Sequence, residues 1–406
     1  MYALNMPSND GVKESGPSLA GAGSVLHLIR NGEAVTRAEL SRRTGLARST
    51  VAQRVDALLA HQLVYEAGGS ASTGGRPPTV LAFNDGAGVV LVADLGATHS
   101  RLAVSDLAAT PLAEVAADID IGEGPEHVLG WVEEQFSALL EEAGKSSADV
   151  RGIGLGVPGP VQFSTGQAVN PPIMPGWDGF SIPNWFAGSY DAPVFVDNDV
   201  NIMALGEHWT HWRDTDHLLF VKVGTGIGCG IVADRAIHRG AQGAAGDIGH
   251  IRVGGHDDVI CRCGNTGCLE SVAGGRALAR RLSEIGLDAS NSRDVVRLAR
   301  SGDPRAVRMV REAGRSLGEV LAASVNFFNP AVIVIGGDLG ELYEQLLAGV
   351  REVTFMRSLP LATRDLRSVP SKLGDRAGIV GAAIMVIEDI LAPAAVDRVL
   401  QGGVAA

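Results

Sequence analysis

Val89-Val90-Leu91-Val92-Ala93-Asp94-Leu95-Gly96-Ala97-Thr98-His99-Ser100-Arg101-Leu102-Ala103-Val104 reads as strand, tight bend, strand. The first run is apolar and β-branched, and a second strand follows the bend at once. Glycine at the bend lets a phosphate approach backbone N–H groups, and Asp94 can hold Mg²⁺ through water. Asp94, Gly96 and Thr98 are therefore candidate phosphate ligands, although tight hairpins also use Asp and Gly for the turn alone. The pattern returns downstream. Leu218 to Val223 forms a strand, Gly224-Thr225-Gly226-Ile227-Gly228-Cys229-Gly230 bends, and Ile231-Val232 runs back. This is not a dinucleotide fingerprint, because a strand follows the glycines where a helix should open. Gly224, Thr225 and Gly226 form a second phosphate hairpin, and Cys229 inside it reads as a small core residue. One hairpin occurring twice predicts an α/β body of two similar lobes around a cleft.

A third strand, Ala331 to Ile335, runs into Gly336-Gly337-Asp338 after a helix from about Arg305 to Phe328. That turn either faces an adenosine, through Gly336 and Gly337, or is an ordinary strand end. Between these landmarks, Val194-Phe195-Val196 leads into Asp197-Asn198-Asp199-Val200-Asn201 and a helix.

His250 follows Asp247-Ile248-Gly249 and precedes Cys261-Arg262-Cys263 and Cys268, with Glu270 just beyond. One histidine and three thiolates suit a closed tetrahedral zinc site. His250, Cys261, Cys263 and Cys268 are the expected ligands of a structural Zn²⁺, which would also fix His250 and Glu270 in space.

Upstream of the first hairpin the chemistry changes. Residues 24–76 carry seven arginines against four acids, whereas the whole chain of 406 residues has a formal net charge of −12. A small nucleic-acid-facing module on an acidic body fits that asymmetry. Val25, Leu26 and Ile29 start an amphipathic helix that Asn31-Gly32 ends. Thr36-Arg37-Ala38-Glu39 reads as a capping box opening a second helix. A turn at Gly45 leads to a third helix from Arg48 to about His61, apolar at Val51, Val55, Leu58 and Leu59. Its other face offers Arg48, Ser49, Thr50, Gln53 and Arg54, which suit base edges and phosphates in a helix-turn-helix. Leu63-Val64-Tyr65 reads as a wing strand. The Gly, Ala, Ser and Thr of 67–75 form a wing tip or flexible segment. Arg76, between Gly75 and Pro77-Pro78, either enters a minor groove or sits in a linker.

Apolar residues make up 46% of the chain and charged residues 20%, as in a well-buried globular protein. No signal peptide or run of about 18 apolar residues is visible, and four cysteines, three of them clustered at metal spacing, fit a reducing cytoplasm.

Taken with the histidine, Cys-x-Cys-Gly-x-x-Gly-Cys-x-Glu and the Asn198-Asp199 pair, these features resemble the ROK family (repressors, open reading frames and kinases) over about residues 20–392. The resemblance implies an actin-like ATPase (sugar kinase) two-lobed α/β body with an N-terminal winged helix-turn-helix. It divides the chain into a DNA-binding domain 21–82, a small lobe 83–197 with a C-terminal helix 378–392, and a large lobe 198–377 holding the zinc loop, between a Gly/Ser/Pro-rich 1–20 whose composition reads as disordered and a Gly- and Ala-rich tail 393–406 that reads as loose. It also implies Asp199 as the catalytic base toward a sugar hydroxyl, and Asn170, Asn198, Asp199, Asp247, His250 and Glu270 as sugar ligands. Three positions depart from the family pattern: Asp247 stands where Glu is usual, Ala97 where glycine is common, and His99 where lysine is frequent.

The expected function is a sugar-responsive transcriptional regulator, a repressor of carbohydrate-metabolism genes. It would bind operator DNA as a homodimer or homotetramer in the cytoplasm. The alternatives are an ATP-dependent, glucokinase-like sugar kinase, alone or combined with regulation, and a zinc-stabilised scaffold. ATP and Mg²⁺ are cofactors only on the kinase reading.

Overall fold

The computed structural model describes residues 21–68 and 79–402, so the expectations for residues 1–20, the wing tip and Arg76 lie outside the described residues. Two compact units are present, residues 1–87 with 389–406, and residues 88–388.

In the first unit, α1 (Ala22–Arg30), α2 (Arg37–Thr44) and α3 (Arg48–Ala60) precede an antiparallel pair, β1 (Val64–Ala67) and β2 (Val80–Phe83). The Thr36 hydroxyl accepts from the Glu39 N–H, and the Glu39 carboxylate accepts from the Thr36 N–H, so the capping box is formed. Gly45 ends α2 in the left-handed region at φ 72°. Val51, Val55 and Leu58 face inward from α3. Ala47 occupies its N-cap and supplies no side-chain hydrogen bond.

The tail is where the sequence expectation fails. Residues 393–406 read as loose, yet Pro393–Leu400 is a helix with Val396 buried. It packs against α1, and the Asp397 carboxylate accepts from the Gly23 N–H at 2.8 Å. That carboxylate serves an otherwise open donor in the first turn of α1, a cap supplied from the far end of the chain. Local composition gives no hint of a partner 374 residues away.

The second unit begins with a meander, β3 (Val89–Leu95), β4 (Ser100–Asp106) and β5 (Pro111–Ala117). After α4 (Pro125–Glu142), β6 (Val150–Val157) joins β3 in parallel. A small hairpin, β7 (Val161–Gln162) and β8 (Gln167–Ala168), and the short α5 (Ile182–Phe186) lead to β9 (Val194–Asn198). Then comes α6 (Asp199–His211), and the plan repeats. β10 (Leu218–Val223), β11 (Ile227–Ala233) and β12 (Ala236–Ile237) form a second meander. The helices α7 (Leu269–Ala273), α8 (Gly275–Glu284), α9 (Ser292–Arg300) and α10 (Pro304–Phe328) precede β13 (Val332–Gly336). Next are α11 (Tyr343–Arg357), α12 (Pro360–Thr363), β14 (Arg367–Pro370) and α13 (Ala377–Ile390).

The two sheets have the same order and the same strand directions: β5-β4-β3-β6-β9 and β12-β11-β10-β13-β14. The repeated hairpin in the sequence thus marks the first turn of each sheet. Each sheet buries apolar side chains against helices. Val128, Val132 and Phe136 of α4 share one buried cluster with residues of β3 and β4, and Leu317, Val320 and Leu321 of α10 share another with residues of β10 and β13. Side chains of this size contribute about 1.5–3 kcal/mol each when buried. The helices α6 and α13 cross closely at Gly206 and Gly381. A Cβ on Gly381 would lie 1.7 Å from the Ile202 carbonyl oxygen, so only glycine permits the approach.

Candidate functional site

A cleft of about 900 Å³ opens in the second unit, and both glycine hairpins line it. Asn170, Asn198, Asp199, Asp247, His250 and Glu270, scattered over a hundred residues of sequence, all reach it. So do Asp94, Gly96, Thr98, Gly224, Thr225, Gly226 and Gly337. Gly336 does not. It ends β13 with its α-carbon turned toward the core, where a Cβ would meet the Phe220 ring at 2.6 Å. Packing under the sheet thus accounts for this glycine, in keeping with the strand-end alternative.

At the centre of the cleft, β9 delivers Asp197, Asn198 and Asp199 to the start of α6. Asn198 caps that helix: its Oδ1 accepts from the Val200 N–H at 3.0 Å, and its Nδ2 donates to the Gly159 carbonyl at 2.9 Å. Asp197 is buried and structural. Its carboxylate accepts from Asn201 Nδ2 and from Arg239 at 2.7 Å, and Arg239 lies over the Phe163 ring. Asp199 is buried too, and its Oδ2 accepts from Lys222 Nζ at 2.6 Å.

Lys222 projects from β10 between Gly228 of β11 and Gly336 of β13. Burial alone would lower its pKa, but Asp199 and Asp94 outweigh burial and hold the ammonium well above the ordinary lysine range. Among the described residues Asp94 has no such direct partner. Burial pushes its carboxyl up to about 6, although the Lys222 charge pulls the other way, and its Oδ1 makes no hydrogen bond.

Further along the cleft, the Glu270 carboxylate accepts from the Ile227 N–H at 3.2 Å, which fixes it under the second hairpin. Asp247 Oδ1 stands 3.9 Å from His250 Nε2, beyond hydrogen-bond reach. Asn170 adopts φ 43°, and its backbone N–H donates to Asp178. His99 Nδ1 and Arg293 both engage Asp118, at 2.9 and 3.1 Å. The hydrogen bond from His99 comes first in holding the Asp118 carboxyl below its usual range. Cys229 is buried in apolar surroundings that push its thiol up to about 12, as expected of an inert core residue.

The ligand atoms of His250, Cys261, Cys263 and Cys268 lie within 4.8 Å of one another. Cys263 and Cys268 Sγ are 3.7 Å apart, and Cys261 Sγ is 3.6 Å from His250 Nδ1. Tetrahedral bonds of about 2.3 Å to sulfur give sulfur–sulfur edges of about 3.8 Å, so these two distances suit a metal ion held by the four groups.

In the first unit, Arg48, Ser49 and Gln53 of α3 are exposed, and Thr50 and Arg54 are half-buried. Their side is opposite Val51, Val55 and Leu58.

Lys222, Arg239 and the structural role of Asp197 were not anticipated. A lysine inside an otherwise apolar strand was the available signal. The chain has only four lysines, and buried ones need a partner.

The ROK family profile matches residues 90–389. The chain is 34% identical over 386 residues to a putative xylose repressor of Caldicellulosiruptor sp. (strain Rt8B.4), covering 91% of this chain and 95% of that protein. Its structure resembles that of a ROK family transcriptional regulator described as a homologue of the Escherichia coli MLC protein. The TM-score is 0.78 at 27% identity, covering 95% of this chain and 99% of the other. It also resembles a ROK glucokinase from Streptomyces griseus solved with glucose and AMPPNP, with a TM-score of 0.63 at 28% identity over 74% of this chain and 99% of the kinase. The second unit therefore has the two-lobed actin-like fold of these proteins, and the chain belongs to the ROK family.

Proposed function

We propose that this ROK-family chain is a sugar-responsive transcriptional repressor. The observation that carries the reading is a helix-turn-helix with an exposed polar face in the same chain as a cleft lined by carboxylates, amides and a histidine. Similarity along nearly the whole length to a xylose repressor and to a ROK regulator supports it.

On this reading Arg48, Ser49, Thr50, Gln53 and Arg54 contact operator DNA, with Arg76 reaching a groove. Two or four copies pair their heads on a pseudo-palindromic site. Asn170, Asn198, Asp199, Asp247, His250 and Glu270 hold the sugar. Carboxylates accept its hydroxyl protons, and amides serve hydroxyls in either sense. His250, Cys261, Cys263 and Cys268 hold a structural Zn²⁺, with His250 Nδ1 on the metal and Nε2 left for the sugar. The sugar acts on DNA binding only through its different affinities for the DNA-competent and DNA-incompetent states.

The glucokinase likeness supports a second reading as a kinase. Asp199 would then be the base, and Asp94, Gly96, Thr98, Gly224, Thr225, Gly226 and Gly337 would face Mg-ATP.

The repressor reading is tested on DNA fragments selected by the protein from a random-sequence pool. The Arg48→Ala/Gln53→Ala variant is expected to lose affinity for its selected sequence, at about 1–3 kcal/mol per lost base contact. Unchanged affinity and sequence preference would refute α3 as the reading helix.

A further inference from the structure

Whether Mg-ATP fits this cleft turns on the carboxylates at the first hairpin and at the start of α6, Asp94 and Asp199. Asp199 is already occupied: Lys222 Nζ donates to its Oδ2 at 2.6 Å, and Asp199 lies buried behind that contact. The lysine is built into the sheet. It sits in register with Gly228 on one side and Gly336 on the other, so neither neighbouring strand puts a side chain beside its stem. The lysine Cε would lie 3.8 Å from a Cβ placed on Gly224, which puts the lysine beneath the second phosphate hairpin. Its charge acts on Asp199, Asp94 and Asp338 together, the acids of the start of α6, of the first hairpin and of the third glycine turn. Asp94 is closed off from the other side by α13, where a Cβ on Gly378 would meet its Oδ2 at 1.9 Å.

A hydrated divalent cation needs oxygen ligands and room for its waters. Here an ammonium already holds the Asp199 carboxylate and its charge also acts on Asp94, and like charge opposes a second cation. The residues present do not fit a metal–nucleotide in this arrangement.

We propose that Lys222 is the resident cation of the cleft, taking the place of a divalent metal between Asp94 and Asp199 and holding Asp199 away from proton transfer. The proposal rests on the repressor reading and deepens it: the chain binds its sugar without phosphorylating it. Two consequences follow from the charge balance. Sugar binding is independent of Mg²⁺, because the fixed ammonium already compensates Asp199. Asp199 acts as a hydroxyl acceptor for the sugar, and Lys222 sets its orientation.

The probe is Mn²⁺ alone, titrated into the full-length, zinc-loaded protein and followed by electron paramagnetic resonance. Wild type is expected to show no cleft-bound Mn²⁺. Lys222→Ala is expected to gain a single Mn²⁺ site that disappears in Lys222→Ala/Asp94→Asn. Lys222→Met, which keeps the stem and removes the charge, should behave like Lys222→Ala and covers the case in which alanine unfolds the lobe. Wild type that already binds Mn²⁺ in an Asp94-dependent way would overturn the proposal. So would the lack of any gained site in a variant that melts like wild type, or Asp199-dependent ADP release from Mg-ATP by the wild-type protein. These outcomes leave sequence-selective DNA binding untouched, so the repressor reading stands or falls separately.

Discussion

Replacing Asp94 by Asn should stabilise the protein at neutral and alkaline pH and leave it unchanged in acid. The Asp94 carboxyl is pushed up from 3.8 to about 6, mainly because burial disfavours its charge. A raised pKa means that the folded state takes up a proton the unfolded state has already released. The associated stability is therefore fully present below about pH 4 and is lost as pH rises through about 6. Two pK units correspond to about 3 kcal/mol, since each unit is worth about 1.4 kcal/mol. Asn has nearly the shape of the protonated acid and never ionises, so it avoids that loss. Thermal and urea unfolding of wild type and Asp94→Asn from pH 4 to 8 would measure it. The expected difference is near zero at pH 4 and grows to at most about 3 kcal/mol in favour of the variant at pH 8. That corresponds to a rise of several degrees in Tm for a domain of this size. A variant less stable than wild type at pH 8, or a difference that ignores pH, would refute the assignment of a destabilising buried charge to Asp94. The latter result would instead mean that the unbonded Oδ1 is served by water or an ion.

Three further outcomes follow from the geometry. Cys263→Ser should lose bound zinc by elemental analysis and lower the melting temperature of the second unit, because metal affinity here is folding energy; full zinc content with unchanged melting would sink the site. Gly246→Ala should be poorly folded or lose sugar binding. Gly246 has φ 94°, and a Cβ would fall 1.7 Å from the Cys229 carbonyl oxygen, displacing the turn that carries Asp247 and His250; near-native stability and binding would contradict that packing. Asp397→Ala should cost the first unit about 1 kcal/mol, the usual value of a helix cap. Calorimetry that finds no change would show the cap to be idle.

The elements that announce themselves locally were legible in the sequence. The capping box at Thr36 and Glu39, the two glycine hairpins, the Asn198 start of α6 and the cysteine cluster each satisfy a short-range rule, and each is seen at the expected residues. Gly336 stayed ambiguous because a glycine needed for close packing and one needed for a ligand look alike in one dimension. The C-terminal helix was missed because Ala- and Gly-rich composition reads as loose until α1 supplies the surface it docks on. Lys222 was passed over because the alternation of its strand is apolar, and its partner Asp199 is 23 residues away on another element. What sequence leaves open, in general, is which long-range partner satisfies a buried polar group.

The most direct test of a sugar-responsive repressor is fluorescence anisotropy of the zinc-loaded protein on its selected DNA, titrated with xylose, glucose and N-acetylglucosamine. The similarity to a xylose repressor makes the pentose the first to try. A repressor of this kind should bind DNA sequence-selectively and lose affinity with salt, as counterion release requires. One sugar should also shift DNA affinity by about 5-fold or more, in the range of ordinary coupling energies. That shift should vanish in Asp199→Ala. Binding that no sugar shifts, or that shows no preference among DNA sequences, would contradict the repressor reading.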